Sequence, residues 1–279
     1  MKTKEVYQIA GVQMPVVFAD PPRNTAAVIE HLQSTAGSGA ELTIFPECVL
    51  SGYCFSDAES AHAAALDADS SEIHRLIECC RDLNTSAIFG FLERTEQGLA
   101  NTVALLGPIG WIASYRKIHL PKLGLDRFTR PGDQPFEVVE HLGLKIGMLV
   151  CYDCSFPESV RVLALQGADI VVLPTNWPVT SGCTADFVPN CRALENNIYF
   201  AAVDRVGEEN GFTFIGKSKI CAPNGRELAF ANHDRFEILR AEIQPAIARQ
   251  KHLVHVPNQH EVHRFADRRP QFYGRISQS

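Results

Sequence analysis

Short apolar runs alternate with amphipathic stretches along almost the whole chain, and this alternation constrains the fold more than any other feature. Val6 to Met14 reads as a strand, and Arg23 to Ala36 as a helix with Val28, Ile29 and Leu32 at helical spacing. Leu42 to Phe45 is a second short strand. Ser70 to Leu83 is helical again, with Ile73, Leu76, Ile77 and Cys80 on one face. Ser86 to Leu92, Asn101 to Leu106 and Trp111 to Tyr115 follow as strands joined by turns that contain Gly and Pro. The second half repeats the theme. Leu144 to Val150 is a strand, Pro157 to Gln166 a helix stopped by Gly167, and Asp169 to Leu173 a strand apolar on both faces. Thr184 to Asn197 reads as a helix, then Tyr199 to Asp204, Thr213 to Cys221, Glu227 to Phe230 and Phe236 to Glu242 as strands. Ala246 to Lys251 starts a last helix, and Val256 to Ser279 looks polar and irregular. This order predicts an α/β layered domain with mixed sheets. No linker-like tract divides residues 1–279, so a single domain is expected.

Charge and composition exclude several functions. A net charge of -6 and a pI near 5.9 advertise no basic face for nucleic acid or anionic membrane. No apolar run reaches the ~18 residues of a membrane span. Gln8 and Gln13 interrupt the first apolar stretch, which argues for a strand rather than a signal peptide. The nine cysteines lack a regular framework, so reduced thiols and a cytoplasmic setting are expected.

Three apolar runs end in a reactive or charged residue: ELTIFPE in Glu47, GWIASYRK in Lys117 and LKIGMLVC in Cys151. A fourth, ADIVVLPTNW, ends in Asn176 and Trp177. Ligand crevices of open α/β sheets lie beyond the carboxyl ends of strands, so these groups are candidates for one site. A thiol attacks as thiolate and needs a base or a nearby cation. Glu47 is suited to take the thiol proton if burial raises its pKa, and Lys117 to stabilise thiolate and oxyanion. The Tyr152 backbone N–H is a second candidate oxyanion donor. Ser155 and Glu158 have capping-box spacing, which would aim a helix N-terminus at the thiolate. Singly, each residue has a plainer reading as a turn carboxylate, a surface ammonium or a core thiol. Cys151 and Cys154 also leave a redox pair or half a zinc site open, but neither has the partners it would require.

FPE at 45–47, YRKIHLP at 115–121 and CYD followed by FPE within 151–158 resemble the three signature blocks of the nitrilase superfamily of carbon–nitrogen hydrolases. RALENNIYFAAVDRVG at 192–207, GKSKICAPNGREL at 216–228 and DRRPQFY at 267–273 extend the resemblance over nearly the whole chain. The resemblance implies a Glu47–Lys117–Cys151 catalytic triad, a thioester intermediate and no cofactor. It also implies an α-β-β-α sandwich that forms a four-layer dimer, with the tail from about residue 246 to 279 at the interface. Tyr-Asp after the cysteine resembles the amidase and carbamoylase branches, with the nitrilases as the alternative.

Two departures qualify the substrate. Many family members place a second glutamate after the lysine, whereas here the nearest acid is Asp126. An aspartate is one methylene shorter, so the equivalent role would need a shifted backbone or a bridging water, and an Asp126–Arg127 ion pair is the plain alternative. Ser155 stands where several related amidases carry arginine. Tyr53, Asn176 and Trp177 are candidates for the pocket wall or for packing. His252, His255, His260 and His263 cluster late in the chain without the H-E-x-x-H spacing, so a solvated tail or dimer contact is expected rather than a metal site. The expected function is hydrolysis of a small, linear, polar amide or N-carbamoyl compound. A non-catalytic binding protein on the same fold is the alternative from another class.

Overall fold

The computed structural model describes residues 4–277. In chain order its strands are β1 (Tyr7–Gln13), β2 (Leu42–Ile44), β3 (Ser86–Thr95), β4 (Gly98–Gly107), β5 (Gly110–Arg116), β6 (Val138–His141), β7 (Leu144–Met148) and β8 (Ile170–Thr175). They continue as β9 (Tyr199–Asp204), β10 (Val206–Glu209), β11 (Phe212–Ile215), β12 (Lys219–Cys221), β13 (Glu227–Phe230), β14 (Glu237–Ile243), β15 (Leu253–Val256) and β16 (His260–Val262). The helices are α1 (Pro21–Gly37), α2 (Ala58–Ala64), α3 (Ser71–Leu83), α4 (Pro157–Leu165), α5 (Gly182–Asn196) and α6 (Pro245–Arg249).

Local chemistry starts and stops these helices. The Asp20 carboxylate accepts from Arg23 N ahead of α1, and prolines open that helix. Asn84 ends α3 in the left-handed conformation with φ 50°. Ile73, Leu76 and Cys80 form the fully buried stripe of α3, each apolar side chain contributing about 1.5–3 kcal/mol.

Two six-stranded sheets result, ordered β14-β1-β2-β3-β4-β5 and β13-β12-β9-β8-β7-β6. Each has three parallel strands at its heart, β1-β2-β3 in one and β7-β8-β9 in the other, flanked by antiparallel partners. The two halves of the chain therefore build the same motif twice. The sheets face each other through a core that includes Ile9, Ile44, Ile88 and Val103 of the first and Ile146, Val172 and Ala201 of the second. Val28, Leu32, Ile73 and Leu76 cover the outer face of the first sheet, and Val160, Leu163 and Ala193 pack helices α4 and α5 onto the second. All four layers of the α-β-β-α sandwich thus lie within one chain.

The tail also departs from expectation. β15 and β16 form a hairpin, Leu253 pairing with Val262 and Val256 with His260, and a turn at 257–259 closes them. Among the described residues no helix is long and apolar enough to cross a membrane.

Candidate active site

Glu47, Lys117 and Cys151 arrive at one place from three strands. Glu47 follows β2 by three residues and is fully buried. Its backbone passes so close to β3 that a Cβ on Gly90 would lie 2.4 Å from Cys48 N, so only glycine fits there. Lys117 directly follows β5, its N–H donating to Asn101 O at 2.9 Å. Cys151 ends the run from β7 on a strained turn with φ 42°, and Cys48, next to Glu47, has φ 47°. Left-handed backbone at both positions turns the chain abruptly out of its sheet and presents the side chains.

Lys117 Nζ donates to Glu47 Oε1 at 2.8 Å and to Asp126 Oδ2 at 2.6 Å, with all three side chains sealed from solvent. Asp126 therefore reaches the ammonium directly. The bridging water is unnecessary because the short helical turn Gly124–Arg127 carries Asp126 inward. A Cβ on Gly124, which has φ 49°, would lie 2.5 Å from the Tyr53 ring, so glycine permits this closure. The Asp126–Arg127 ion pair does not form: Arg127 donates instead to Gly124 O at 3.1 Å and Phe55 O at 2.6 Å.

Asn101, within β4, was not singled out from the sequence. Its Nδ2 donates to Glu47 Oε1 at 2.7 Å and to Asp126 Oδ1 at 2.9 Å, while its Oδ1 accepts from Cys48 Sγ at 3.3 Å. One amide thus spaces both carboxylates around the ammonium. An asparagine in an apolar strand was the available signal, since asparagine is depleted in strands. Tyr53 O–H donates to Asp126 Oδ2 at 2.8 Å. Its loop is held by Glu209, whose Oε1 accepts from Tyr53 N at 2.7 Å and whose Oε2 pairs with the buried Arg205.

Burial raises the Glu47 pKa above the ordinary carboxylate range, Lys117 opposing and Asp126 adding to the shift. Burial also pushes the Cys151 thiol well up, reinforced by Glu47 and opposed by Lys117, Thr175 and the Asn176 backbone. The resting thiol is therefore protonated. For Lys117 burial acts downward, but Asp126 and Glu47 outweigh it and the ammonium stays charged.

Buried side-chain N and O atoms that lack a protein partner among the described residues cluster here: Glu47 Oε2, both Asn176 amide atoms and Asp204 Oδ2. Unpartnered buried polar groups are costly, and their concentration beside a thiol suits this place to a polar ligand. Asn176 directly follows β8, and its backbone hydrogen-bonds the Cys151 sulfur. Trp177 is 2% exposed and belongs to the hydrophobic core, its backbone N–H donating to Asp204 Oδ1 at 2.8 Å, so its side chain packs.

The Cys151–Ser155 segment is a short helical turn with Tyr152 in its first turn, where N–H groups have no acceptor in the helix. The capping box is absent: Phe156 caps α4 without a side-chain hydrogen bond, because Ser155 belongs to the preceding turn.

The carbon–nitrogen hydrolase family model matches residues 8–252. The chain belongs to the carbon–nitrogen hydrolase family. This hydrolase is 34% identical over 272 residues to a nitrilase of Pyrococcus abyssi, covering 96% of this chain and 99% of that one. It is 31% identical over 231 residues to an (R)-stereoselective amidase of a Pseudomonas species, covering 82% and 81% of the two chains. Among solved structures, an amidase mutant of Nesterenkonia sp. matches with TM-score 0.79 and 25% identity over 97% of both chains. In that structure the acetamide moiety of fluoroacetamide is covalently added at the active-site cysteine. Similarity to nitrilases and amidases places the hydrolase in the nitrilase superfamily, on its amide-cleaving side.

The late histidines lie apart from this centre. His252 Nε2 pairs with Glu261 Oε2 at 2.8 Å across the β15–β16 hairpin. Among the described residues no group of three or more His, Cys, Asp or Glu side chains is placed to hold a metal.

Proposed function

We propose that the hydrolase cleaves a small polar amide or N-carbamoyl compound through a thioester on Cys151, with Glu47 as base and acid and Lys117 as oxyanion partner. The observation that carries this reading is the asymmetry of Glu47: Oε1 is anchored by Lys117 and Asn101, while Oε2 is buried without a partner. Oε2 takes the Cys151 proton as sulfur attacks the carbonyl carbon. The oxyanion forms beside the Lys117 ammonium and the Tyr152 N–H. As the C–N bond breaks, Glu47 returns its proton to the departing nitrogen, releasing ammonia or an amine. Water then attacks the thioester, giving one proton to Glu47. The C–S bond breaks, the acid leaves, and the thiol is reprotonated.

Asp126 fits the place of the second family glutamate as the residue that holds Lys117 charged. Asn176 is suited to bind the polar body of the substrate through its unpartnered amide, with Tyr53 and Trp177 shaping the walls. Nitrile hydrolysis is the second reading, favoured by the identity to the Pyrococcus abyssi nitrilase. A homodimer fits the apolar surface formed by Val162 and Leu165 of α4 and by Phe272 and Ile276 of the tail, all exposed in the single chain.

Ammonia release over a panel of small amides, N-carbamoyl compounds and nitriles tests the reading, with Cys151→Ala and Glu47→Gln as controls. Turnover of amides that both variants abolish supports it. Undiminished turnover by Cys151→Ala would remove the thioester route.

A further inference from the structure

Asp153 is completely buried two residues after Cys151, and four donors converge on its carboxylate. Oδ1 accepts from His119 N at 3.2 Å and faces His119 Nδ1 at 2.7 Å. Oδ2 accepts from Tyr115 O–H at 2.9 Å and from Val150 N at 3.0 Å. Val150 immediately precedes Cys151, while Tyr115 and His119 each stand two residues from Lys117, on either side of it. One carboxylate therefore ties the backbone that carries the thiol to the segment that carries the ammonium, across the gap between the two sheets.

Chemistry explains why this residue is an aspartate. An ionised carboxylate accepts four hydrogen bonds and donates none, whereas an asparagine would turn an N–H₂ group towards two of the donors. His119 completes the link. With Nδ1 as donor its ring is fixed in plane by Asp153, and it stacks on Phe156 with ring centres 3.8 Å apart and planes 14° apart. Phe156 caps α4 at the far end of the Cys151 turn. His119 thus grips the turn twice, through Asp153 and through Phe156, and both contacts originate beside Lys117.

We propose that Asp153 and His119 are a positioning pair that sets the placement of the Cys151 thiol relative to Lys117 and Glu47. The kinetic side of this inference rests on the amide-hydrolase reading, since neither residue is assigned a step in bond cleavage. Displacement of a reacting atom by about 1 Å costs on the order of 100-fold in rate, so an element that fixes this distance acts mainly on kcat.

The test compares His119→Ala, His119→Asn and Asp153→Asn with the full-length wild type. Asparagine at 119 places a side-chain N–H near the position of Nδ1. With the amide that the panel finds best, His119→Ala is expected to lower kcat ~10–100-fold with KM changed less than about threefold. His119→Asn recovers most of the loss, and Asp153→Asn loses at least as much as His119→Ala. Independently of any substrate, the rate at which iodoacetamide alkylates Cys151 is expected to change about fivefold or more in His119→Ala, in either direction, and less than about twofold in His119→Asn. Wild-type silence on every amide defeats the hydrolase reading but leaves the alkylation comparison to decide this one. An alkylation rate unchanged in His119→Ala overturns the positioning pair. So does a loss in His119→Asn as large as in His119→Ala, which would give the imidazole itself the role. His119 keeps 27% side-chain exposure, so the His119 variants decide the matter even where Asp153→Asn does not fold.

Discussion

Asp126 Oδ2 lies 2.6 Å from Lys117 Nζ, nearer than the 2.8 Å between that nitrogen and Glu47 Oε1, so the buried ammonium is shared by two carboxylates. Lys117 and Asn101 both donate to Glu47 Oε1, and Oε2 is left without a partner. The cluster thus sets one cation between two carboxylates.

Removing Asp126 should accordingly damage both stability and rate. Breaking a buried pair from one side costs about 3–5 kcal/mol, and Lys117 retains Glu47 as partner, so Asp126→Ala should fall at the lower end of that range. The freed ammonium would then draw on Glu47 and lower its basicity, reducing kcat by ~100-fold. Denaturant melts and steady-state kinetics of Asp126→Ala and Asp126→Asn check both effects. An Asp126→Ala enzyme with wild-type kcat would remove the aspartate from the working cluster.

Glu47 makes a prediction in pH. Its folded pKa is raised, so the folded state holds this proton more tightly than the unfolded chain does. The resulting stability is fully present below the ordinary carboxylate value near 4.5 and is lost as pH rises through the folded value. Glu47→Gln, which mimics the protonated form, should be inactive yet no less stable than wild type at neutral pH, its relative advantage shrinking as pH falls towards 4.5. Melting temperatures across that range test the sign. The acid limb of kcat/KM should also lie above the usual glutamate range, because catalysis needs the ionised base.

The cysteines should react in an order unlike a count of thiols. Cys183 and Cys191 are exposed, whereas burial holds Cys54, Cys80, Cys154 and Cys221 up at about 12. Cys151 is partly exposed but its thiol is also pushed well up. At neutral pH a bulky charged alkylating agent should therefore label Cys183 and Cys191 first. A small haloacetamide that enters the site should label Cys151 competitively. Peptide mapping over time distinguishes the two patterns, and early labelling of Cys151 by the bulky reagent would show an open site.

Asn101→Ala removes the amide donor that two buried carboxylates share and leaves Lys117 as their common partner. Each lost hydrogen bond to a charged group is worth about 1.5–3 kcal/mol, and part of it returns through closer approach to Lys117. A rate loss of ~10–100-fold is expected as the free Glu47 oxygen loses its orientation. Asn101→Asp should do worse, because a third carboxylate would face the other two. Kinetics of the two variants, with near-wild-type rates in Asn101→Asp as the contrary outcome, decide whether this amide orients the base.

Recognition of the site from sequence was uneven for physical reasons. Glu47, Lys117, Cys151 and Asn176 each terminate an apolar run, so their position at strand ends was readable from hydrophobic patterning. Asp126 was readable only as the nearest acid. Its contact with Lys117 depends on the turn at Gly124 and on Tyr53, which is 73 residues away in sequence. Asn101 and Asp204 look like ordinary strand residues until folding removes them from water, and Asp153 was legible only as part of the block that follows the cysteine. The hairpin of β15 and β16 was missed because its strands are short and lie among polar residues.

The chain by itself determined the alternation of strands and helices, the family, and the three reactive groups, because these depend on local periodicity and on side-chain chemistry. Tertiary structure decided how those groups act on one another. Only the facing of two sheets, each built around three parallel strands, seals Lys117 between two carboxylates and lifts the pKa of Glu47 and of Cys151. Desolvation and pairing arise from distances that no single segment of the chain contains.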